Sequence, residues 1–407
     1  MSVEQSTRLH GLDALRGGAL LLGIVFHAAF SFFPGDQLWL IMDAERSASL
    51  SGLAYVLHIF RMTVFFLLAG YFGRMQTYRL GTRPFAVDRL KRIGGPLLVF
   101  WPIVMVCFIA LAIWGLAAAN GGTIPENPPE PPPFSLKTFP LTHLWFLYML
   151  LLLYAGMLIG RGVLSGLRVK SGLGRVSDWT LRKTAWIGLL PLLMAVPTAI
   201  AILYHQNWHP FFGIPTPEYG FVPNRVAVVA YGGAFGLGWL MQRHPDHLRN
   251  AVRPWPLFLA GAIALTGYCL VTLGTTVSYY MPLSEQAKYV YPAAYALSIW
   301  FWTFGLIGLC LKIWSGESRL RRYIADASYW LYLIHLPIIM ALQIWVSQWA
   351  WPAEAKFALI LGLSLPLMLL SYEICVRYTF IGGLLNGRKH ARPHRGRPAN
   401  AMTKETV

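Results

Sequence analysis

An arginine and a histidine share one face of a strongly apolar segment near the N-terminus. Arg16 and His27 are eleven residues apart in the stretch LDALRGGALLLGIVFHAAF. Eleven residues at about 100° each make about three helical turns, so both side chains point the same way, about 16 Å apart along the axis. Ionisable residues on one face of a membrane helix indicate a functional site. The spacing leaves one alternative open, in which the histidine packs between helices and Arg16 reaches the headgroups.

The composition of the chain places these residues in a membrane. The 407 residues are 56% hydrophobic and only 13% charged, and the mean hydropathy is +0.50. These values exclude an ordinary soluble domain and a disordered chain. The sequence therefore predicts an all-α, polytopic membrane protein, with residues 1–376 as the transmembrane domain and 377–407 as a disordered basic tail. About ten transmembrane helices are expected, at 15–34, 53–74, 97–118, 141–160, 185–204, 225–241, 256–274, 293–313, 329–347 and 357–376.

The distribution of charge predicts the orientation. The formal net charge is +17, and Lys and Arg concentrate in alternate loops and in the tail. By the positive-inside rule, both termini are cytoplasmic, and the basic excess is a topology signal in a lipid bilayer rather than a nucleic-acid surface. The four cysteines lie in apolar spans without metal-ligand spacing, so no metal site is predicted.

Further polar side chains fall at depths that would bring them near this face. Arg61 is expected about 12 Å below the outer surface, close to the level of His27, with His58 three residues before it. His335 is expected about 9 Å in from the cytoplasmic side, and Glu373 in the inner third of the last helix. If these helices are neighbours, the side chains form a polar column across the membrane.

Two aromatic regions are expected at the outer side. His143 and Trp145 lie near the outer mouth of the fourth helix. The outward loop HQNWHPFFGIPTPEYG, at 205–220, has the composition of a rim over a cavity, or of an interfacial loop with aromatic anchors.

Four motifs lie in order along nearly the whole chain, namely LDALRGGALLLGIVFH, RMTVFFLLAGYFGR, HLWFLYMLLLLY and SYWLYLIHLP. Together they resemble the motifs of the type-3 membrane acyltransferases. Glu373 also falls where that family often has a glutamate. The stretch HIFRMTVFFLLAG and the short, undecorated length favour the branch that succinylates periplasmic glucans.

The resemblance implies a multi-pass enzyme of the bacterial inner membrane. Such an enzyme moves an acyl group from cytoplasmic acyl-CoA, here succinyl-CoA or acetyl-CoA, to a hydroxyl of an extracytoplasmic carbohydrate, with no permanently bound cofactor. His27 is then the general base or a transient acyl carrier. Arg61 would hold the free carboxylate of a succinyl donor, or support the oxyanion with an acetyl donor. Arg16, His335 and Glu373 complete the predicted catalytic set.

The binding residues follow from the same resemblance. The basic loop after the second helix suits the phosphates of coenzyme A, although topology alone explains most of its charges. The acceptor is assigned to His58, His143 and Trp145. The predicted donor-binding residues are Arg74, Arg79, Arg89, Lys91 and Arg92.

Two other classes of function remain open. In a proton-coupled transporter or flippase of an envelope precursor, His27, Arg61 and Glu373 would form a proton relay. A non-catalytic subunit of an envelope-polymer assembly is the other class. A second copy of the chain is a further candidate partner.

Overall fold

The computed structural model describes residues 10–37, 39–124, 133–166 and 172–386. In these ranges the chain folds into fourteen α-helices, and no strand is present beyond two isolated β-bridges. The predicted all-α, polytopic fold is therefore confirmed. The helices are α1 His10–Ala29, α2 Ala48–Leu80, α3 Thr82–Arg89, α4 Gly95–Ala119, α5 Trp145–Gly166, α6 Gly172–Trp186, α7 Leu190–Leu203, α8 Arg225–Met241, α9 Pro245–Ala251, α10 Trp255–Leu273, α11 Ala287–Ile313, α12 Arg319–Val346, α13 Ala353–Tyr372 and α14 Phe380–Asn386.

Fewer helices have membrane-spanning length than the ten expected. Eight helical segments within the described ranges are long and apolar enough, and a ninth results if the bent pair α6 and α7 is counted as one span. The predicted span 185–204 contains α7, whose 14 residues follow a bend of 107°. A helix of that length covers about 21 Å, less than the hydrocarbon core of about 30 Å. The predicted span 225–241 is α8, with 17 residues. The placement of both termini in the cytoplasm stays a prediction.

The N-terminal helix α1 lies at the centre of the bundle. It packs against α2, α11, α12 and α13. Its buried residues include Leu12, Leu15 and Ile24, while Arg16 and His27 remain partly accessible on another face. The apolar side chains of α1 pack against these neighbouring helices. This packing turns the face with Arg16 and His27 toward an interior cavity.

Two glycines allow α2 and α8 to cross at backbone contact. A Cβ atom on Gly70 would lie 1.9 Å from the carbonyl oxygen of Phe235, and one on Gly238 would lie 1.9 Å from that of Leu67. Small residues at a helix crossing permit this approach in membrane proteins. The crossing fixes α2, which carries His58 and Arg61.

The C-terminal segment has a helical beginning. One turn of π-helix, Glu373–Arg377, extends α13 and is followed by α14, which contacts α12. The first residues of the predicted disordered tail, 377–407, are therefore partly helical. The rest of that tail, 387–407, lies outside the described residues.

Candidate active site

A cavity of about 780 Å³ runs through the helix bundle. At one end it is lined by Arg16, Arg89 and Arg92, and we call this end the basic end. At the other end, which we call the far end, it is lined by the loops 204–224 and 274–286. Side chains of α1, α2, α5 and α12 form the walls between the two ends. One interior space thus joins the basic loops to the loops on the opposite face.

Histidines from four different parts of the chain line the middle of this cavity. The rings of His27 and His335 have centroids 5.2 Å apart, and those of His143 and His335 are also 5.2 Å apart. His58 faces the same cavity from α2. No set of three His, Cys, Asp or Glu side chains among the described residues has the geometry to hold a metal ion.

A proline in α12 positions His143. Pro337 has no N–H, so the carbonyl of Leu333, four residues earlier, lacks its helical donor. His143 Nε2 donates to this carbonyl at 3.3 Å. His335, two residues before the proline, does not bond this carbonyl. That imidazole instead donates from Nδ1 to the carbonyl of Tyr332 at 2.7 Å.

Three of the four imidazoles are held by backbone carbonyls, and His27 is not. His58 Nε2 donates to the carbonyl of Phe212 at 2.9 Å, in the same way as His143 and His335 donate to theirs. Among the described residues, no hydrogen-bonding partner reaches the imidazole of His27, and its Nδ1 is buried. The imidazole of His27 is therefore free to form hydrogen bonds with a molecule in the cavity.

Arg61 lies next to the histidines and is almost completely buried. Its guanidinium carbon is 4.2 Å from the centroid of the Phe26 ring, and Phe26 in turn stacks on His58. Gly23 of α1 faces this side chain, and a Cβ atom there would be in ordinary contact with Arg61 Nη1, at 3.4 Å. This Nη1 has no hydrogen-bonding partner in the described part of the chain. A buried cation with a free donor suits an anionic group in the cavity.

Two predicted catalytic residues take positions that the sequence did not indicate. His335 lies beside His27 rather than near the basic end, because α12 begins at Arg319, ahead of the predicted start at residue 329. It is about 24 Å along that helix. Glu373 does not line the cavity. It bonds Arg377 at 2.5 Å, so it does not orient His335 or Arg16.

The predicted acceptor residues lie deeper than expected. His143 and Trp145 are 8% and 7% exposed, and neither forms the mouth of the cavity. Trp145 packs its ring against Tyr231, with centroids 5.7 Å apart and planes 26° from parallel. His143 and Leu144 are buried in the 3₁₀ turn Thr142–Leu144, which leads into α5. Both residues, like His58, are walls of the cavity.

Of the predicted donor-binding set, only Arg89 and Arg92 line the cavity. Asp88 holds both, with its Oδ1 2.7 Å from Arg92 Nε and its Oδ2 bonded to Arg89. Arg16 joins them from α1.

The other three predicted donor-binding residues lie outside the main cavity. Arg74 stacks on the ring of Tyr78, four residues away, at 4.5 Å. Arg79 is exposed at the end of α2, and Lys91 lines a separate surface depression. The local sequence does not distinguish the cations that line the cavity from those that do not. Arg89 and Arg92 lie where the chain turns from α3 through the π-helical segment Leu90–Gly94 into α4.

Two residues next to His27 were not predicted from the sequence. The indole of Trp39 lies over the His27 ring, with centroids 6.1 Å apart. Gln343 of α12, buried at 1% exposure, bonds the Trp39 indole and the carbonyl of His27. An amide in the middle of an apolar helix was the only sequence signal for this contact, because a buried polar group needs partners.

Comparison with known proteins identifies the family. Residues 9–373 match the type-3 acyltransferase family, whose description is "Acyltransferase domain". The chain belongs to this family. It is therefore an acyltransferase, and a multi-pass protein of the inner membrane, as the four motifs predicted. Membership favours an enzyme over the transporter and over the non-catalytic subunit.

Curated relatives align over almost the full length of the chain. The Glucans biosynthesis protein C of Escherichia coli (strain K12) is 24% identical over 411 residues, which cover 95% of this chain and 97% of the relative. The protein of the same name from Escherichia coli O139:H28 is 24% identical over 392 residues. No solved structure matches the chain.

Proposed function

We propose that this acyltransferase moves an acyl group from acyl-CoA, bound at the basic end of the cavity, to a hydroxyl of a carbohydrate that enters from the far end. His27 acts as the general base. It takes the proton of the attacking hydroxyl, and the thiolate of coenzyme A leaves and is protonated as the ester forms. The observation that carries the proposal is the position of His27 midway along a cavity that reaches both faces, with no hydrogen-bonding partner for its imidazole among the described residues.

The donor site consists of Arg16, Arg89 and Arg92. Guanidinium groups bind phosphate oxygens through two parallel hydrogen bonds, and Asp88 holds two of the three in place. Arg74, Arg79 and Lys91 are left out of this site because they do not line the cavity. The pantetheine arm would extend from here past Arg16 toward His27, about 16 Å along α1.

The acyl group is a dicarboxylic one, such as succinyl. Arg61 supports this choice because its Nη1 is buried, lines the cavity near His27 and has no partner among the described residues. The free carboxylate of a succinyl group would supply that partner, and an acetyl group would not. The name of the curated relatives, Glucans biosynthesis protein C, supports a glucan as the acceptor.

Mass spectrometry of glycans from a strain that lacks the gene tests the reaction. The strain is complemented with the wild-type chain, with His27→Ala or with His10→Ala, which changes a histidine near Glu317 away from the cavity. We expect a succinyl-sized increment with the wild type and with His10→Ala, and none with His27→Ala at equal expression. Full modification by His27→Ala would exclude His27 as the base. Absence of any increment in all strains would exclude the proposed reaction.

The choice of donor has a separate test in purified enzyme. Arg61→Met should reduce the use of succinyl-CoA by about tenfold or more, since a charged hydrogen bond is lost, and should affect acetyl-CoA less. Equal losses with both donors would assign Arg61 to the oxyanion or to the fold instead.

A further inference from the structure

The far end of the cavity is built from loops that carry polar and aromatic side chains. The loops are 204–224 and 274–286. Six polar side chains from these loops line the cavity, and Glu218 is the one carboxylate among them. The six are His205, Asn207, His209, Thr216, Glu218 and Tyr279.

Backbone pairing holds Glu218 on the cavity wall. Its carbonyl accepts a hydrogen bond from the N–H of Leu141 at 2.8 Å, and the N–H of Gly220 donates to the carbonyl of Phe139 at 2.9 Å. Gly220 has φ +74°, and a Cβ atom there would lie 2.7 Å from the carbonyl oxygen of Lys137. Only glycine permits this approach. The segment that carries Glu218 is therefore fixed against residues 136–141, the stretch that leads to α5.

A second pairing holds Tyr279 at the rim. Asp36 Oδ2 accepts from the N–H of Tyr279 at 2.7 Å and from Ser278 Oγ at 2.8 Å. These two donors keep the pKa of the Asp36 carboxyl below its usual range. The Tyr279 hydroxyl donates to the carbonyl of Gln37 at 2.7 Å, yet 69% of the residue is exposed. An aromatic ring that is fixed but open offers a rigid contact surface at low entropic cost.

The carboxylate of Glu218 has no hydrogen-bonding partner among the described residues. Within the described ranges, no N–H, hydroxyl or cation pairs with it. Glu218 is an exposed residue whose side chain lines the cavity, and partial desolvation by the neighbouring protein raises the pKa of its carboxyl. A carboxylate in such a place accepts hydrogen bonds strongly from any donor that enters. Adjacent hydroxyls on one sugar ring are donors of this kind, and an anionic ligand would be repelled.

We infer that Glu218 and Tyr279 form a binding subsite for an uncharged, polyhydroxylated acceptor, namely a neutral sugar unit of the carbohydrate chain. The carboxylate accepts hydrogen bonds from ring hydroxyls, and the Tyr279 ring packs against the face of the sugar. This inference rests on the proposed function, and it replaces His58, His143 and Trp145 as the first acceptor contacts. It also predicts selection against acidic sugars.

Equilibrium binding of oligosaccharides to the full chain in lipid nanodiscs tests the subsite. The probes are a linear neutral gluco-oligosaccharide and a uronic-acid oligosaccharide of equal length. We expect binding of the neutral probe only. Glu218→Gln and Tyr279→Ala should each weaken binding by about tenfold. Tyr279→Phe, which keeps the ring, should retain most of the affinity. The matched control for Glu218→Gln is Glu285→Gln, which changes an exposed carboxylate in the loop that carries Tyr279.

The outcomes separate this inference from the proposed function. Equal affinity of wild type and Glu218→Gln, binding of both probes alike, or no binding of the neutral probe would each overturn the subsite. A wild type that transfers acyl groups while Glu218→Gln keeps the same KM for the acceptor would overturn the subsite and leave the function standing. If the wild type binds the neutral probe selectively but transfers no acyl group, the proposed function is overturned and the subsite stands. Thermal unfolding of each variant identifies any loss of fold.

Discussion

Trp39 covers His27, and a single glutamine holds both. The two rings lie 24° from parallel, and the Trp39 indole N–H donates to Gln343 Oε1 at 2.9 Å. Gln343 Nε2 donates to the carbonyl of His27 at 3.0 Å and to that of Ala28 at 3.2 Å. These bonds hold Trp39, in the loop after α1, over one face of the His27 imidazole. In the proposed reaction this cover limits the access of water to the thioester.

Removal of the glutamine should increase wasteful hydrolysis of the donor. Gln343→Leu keeps a similar volume and deletes both sets of hydrogen bonds, so that Trp39 loses its anchor. We expect the ratio of acyl-CoA hydrolysis to transfer to rise several-fold, because water reaches the thioester more readily. The measurement compares released coenzyme A with the ester formed. Gln348→Leu, at an exposed glutamine that bonds Ala118, is the control. An unchanged ratio in Gln343→Leu would show that the cover does not exclude water.

The buried ion pair between Asp43 and Lys356 should be essential only as a pair. Lys356 Nζ is 2.7 Å from Asp43 Oδ1, and the two side chains are 0% and 1% exposed. Lys356→Met alone leaves a buried carboxylate unpaired and should cost about 3–5 kcal/mol. Asp43→Asn with Lys356→Met should recover most of this loss. Thermal unfolding in detergent measures both. A single variant as stable as Lys288→Met, which removes an exposed lysine, would contradict the argument.

Two glycines of α8 should respond in opposite ways to the same substitution. Gly238→Ala places a methyl group 1.9 Å from the carbonyl oxygen of Leu67, whereas a Cβ atom on Gly236 has nothing within 4 Å. We expect Gly238→Ala to destabilise the fold by about 1–3 kcal/mol or more and to lower activity by shifting α2. Gly236→Ala should be neutral or slightly stabilising, because alanine favours the helix. Equal unfolding temperatures for the two variants would mean that the helices do not cross at this point.

Acceptor affinity should depend on pH through Glu218. Partial desolvation by the surrounding protein raises the pKa of this carboxyl above its ordinary value. The ionised form is the better acceptor, and the KM for the carbohydrate should fall as pH rises through the raised pKa. The same shift means that ionisation of Glu218 disfavours folding, so its contribution to stability decreases as pH rises.

Kinetics from about pH 4 to about pH 8 measure this dependence. Glu218→Gln should remove it and leave the dependence that arises from His27. A wild-type profile that persists in Glu218→Gln would assign the titration elsewhere.

Local geometry was sufficient to predict part of the site. Helical periodicity placed Arg16 and His27 on one face, and both line the cavity. Depth along α2 likewise brought Arg61 to the level of His27. These inferences succeeded because they depend on the regular rise and rotation of one helix. The depth of His335 was wrong, since apolar windows omit the polar first turns of α12.

Contacts between distant segments had no comparable sequence signal. Gln343 and Trp39 are separated by 304 positions, and the pairing of 216–221 with 136–141 connects two irregular loops. The donor arginines illustrate the same limit. Arg74 within α2 and Arg89 at the end of α3 carry the same charge, and the local sequence does not indicate that only Arg89 of the two lines the cavity.

The contact between α1 and Gln343 of α12 has a consequence for biogenesis. Gln343, which holds the His27 end of α1, is synthesised 316 residues after it. At a translation rate of about 5–20 residues per second, α1 waits about 15 to 65 s in the membrane before this contact can form. During that time Arg16 and Arg61 lack the part of the cavity wall that α12 later supplies. Quality control that recognises unshielded charges in the bilayer would therefore see every incomplete chain, and acyl transfer can begin only after α12 has inserted.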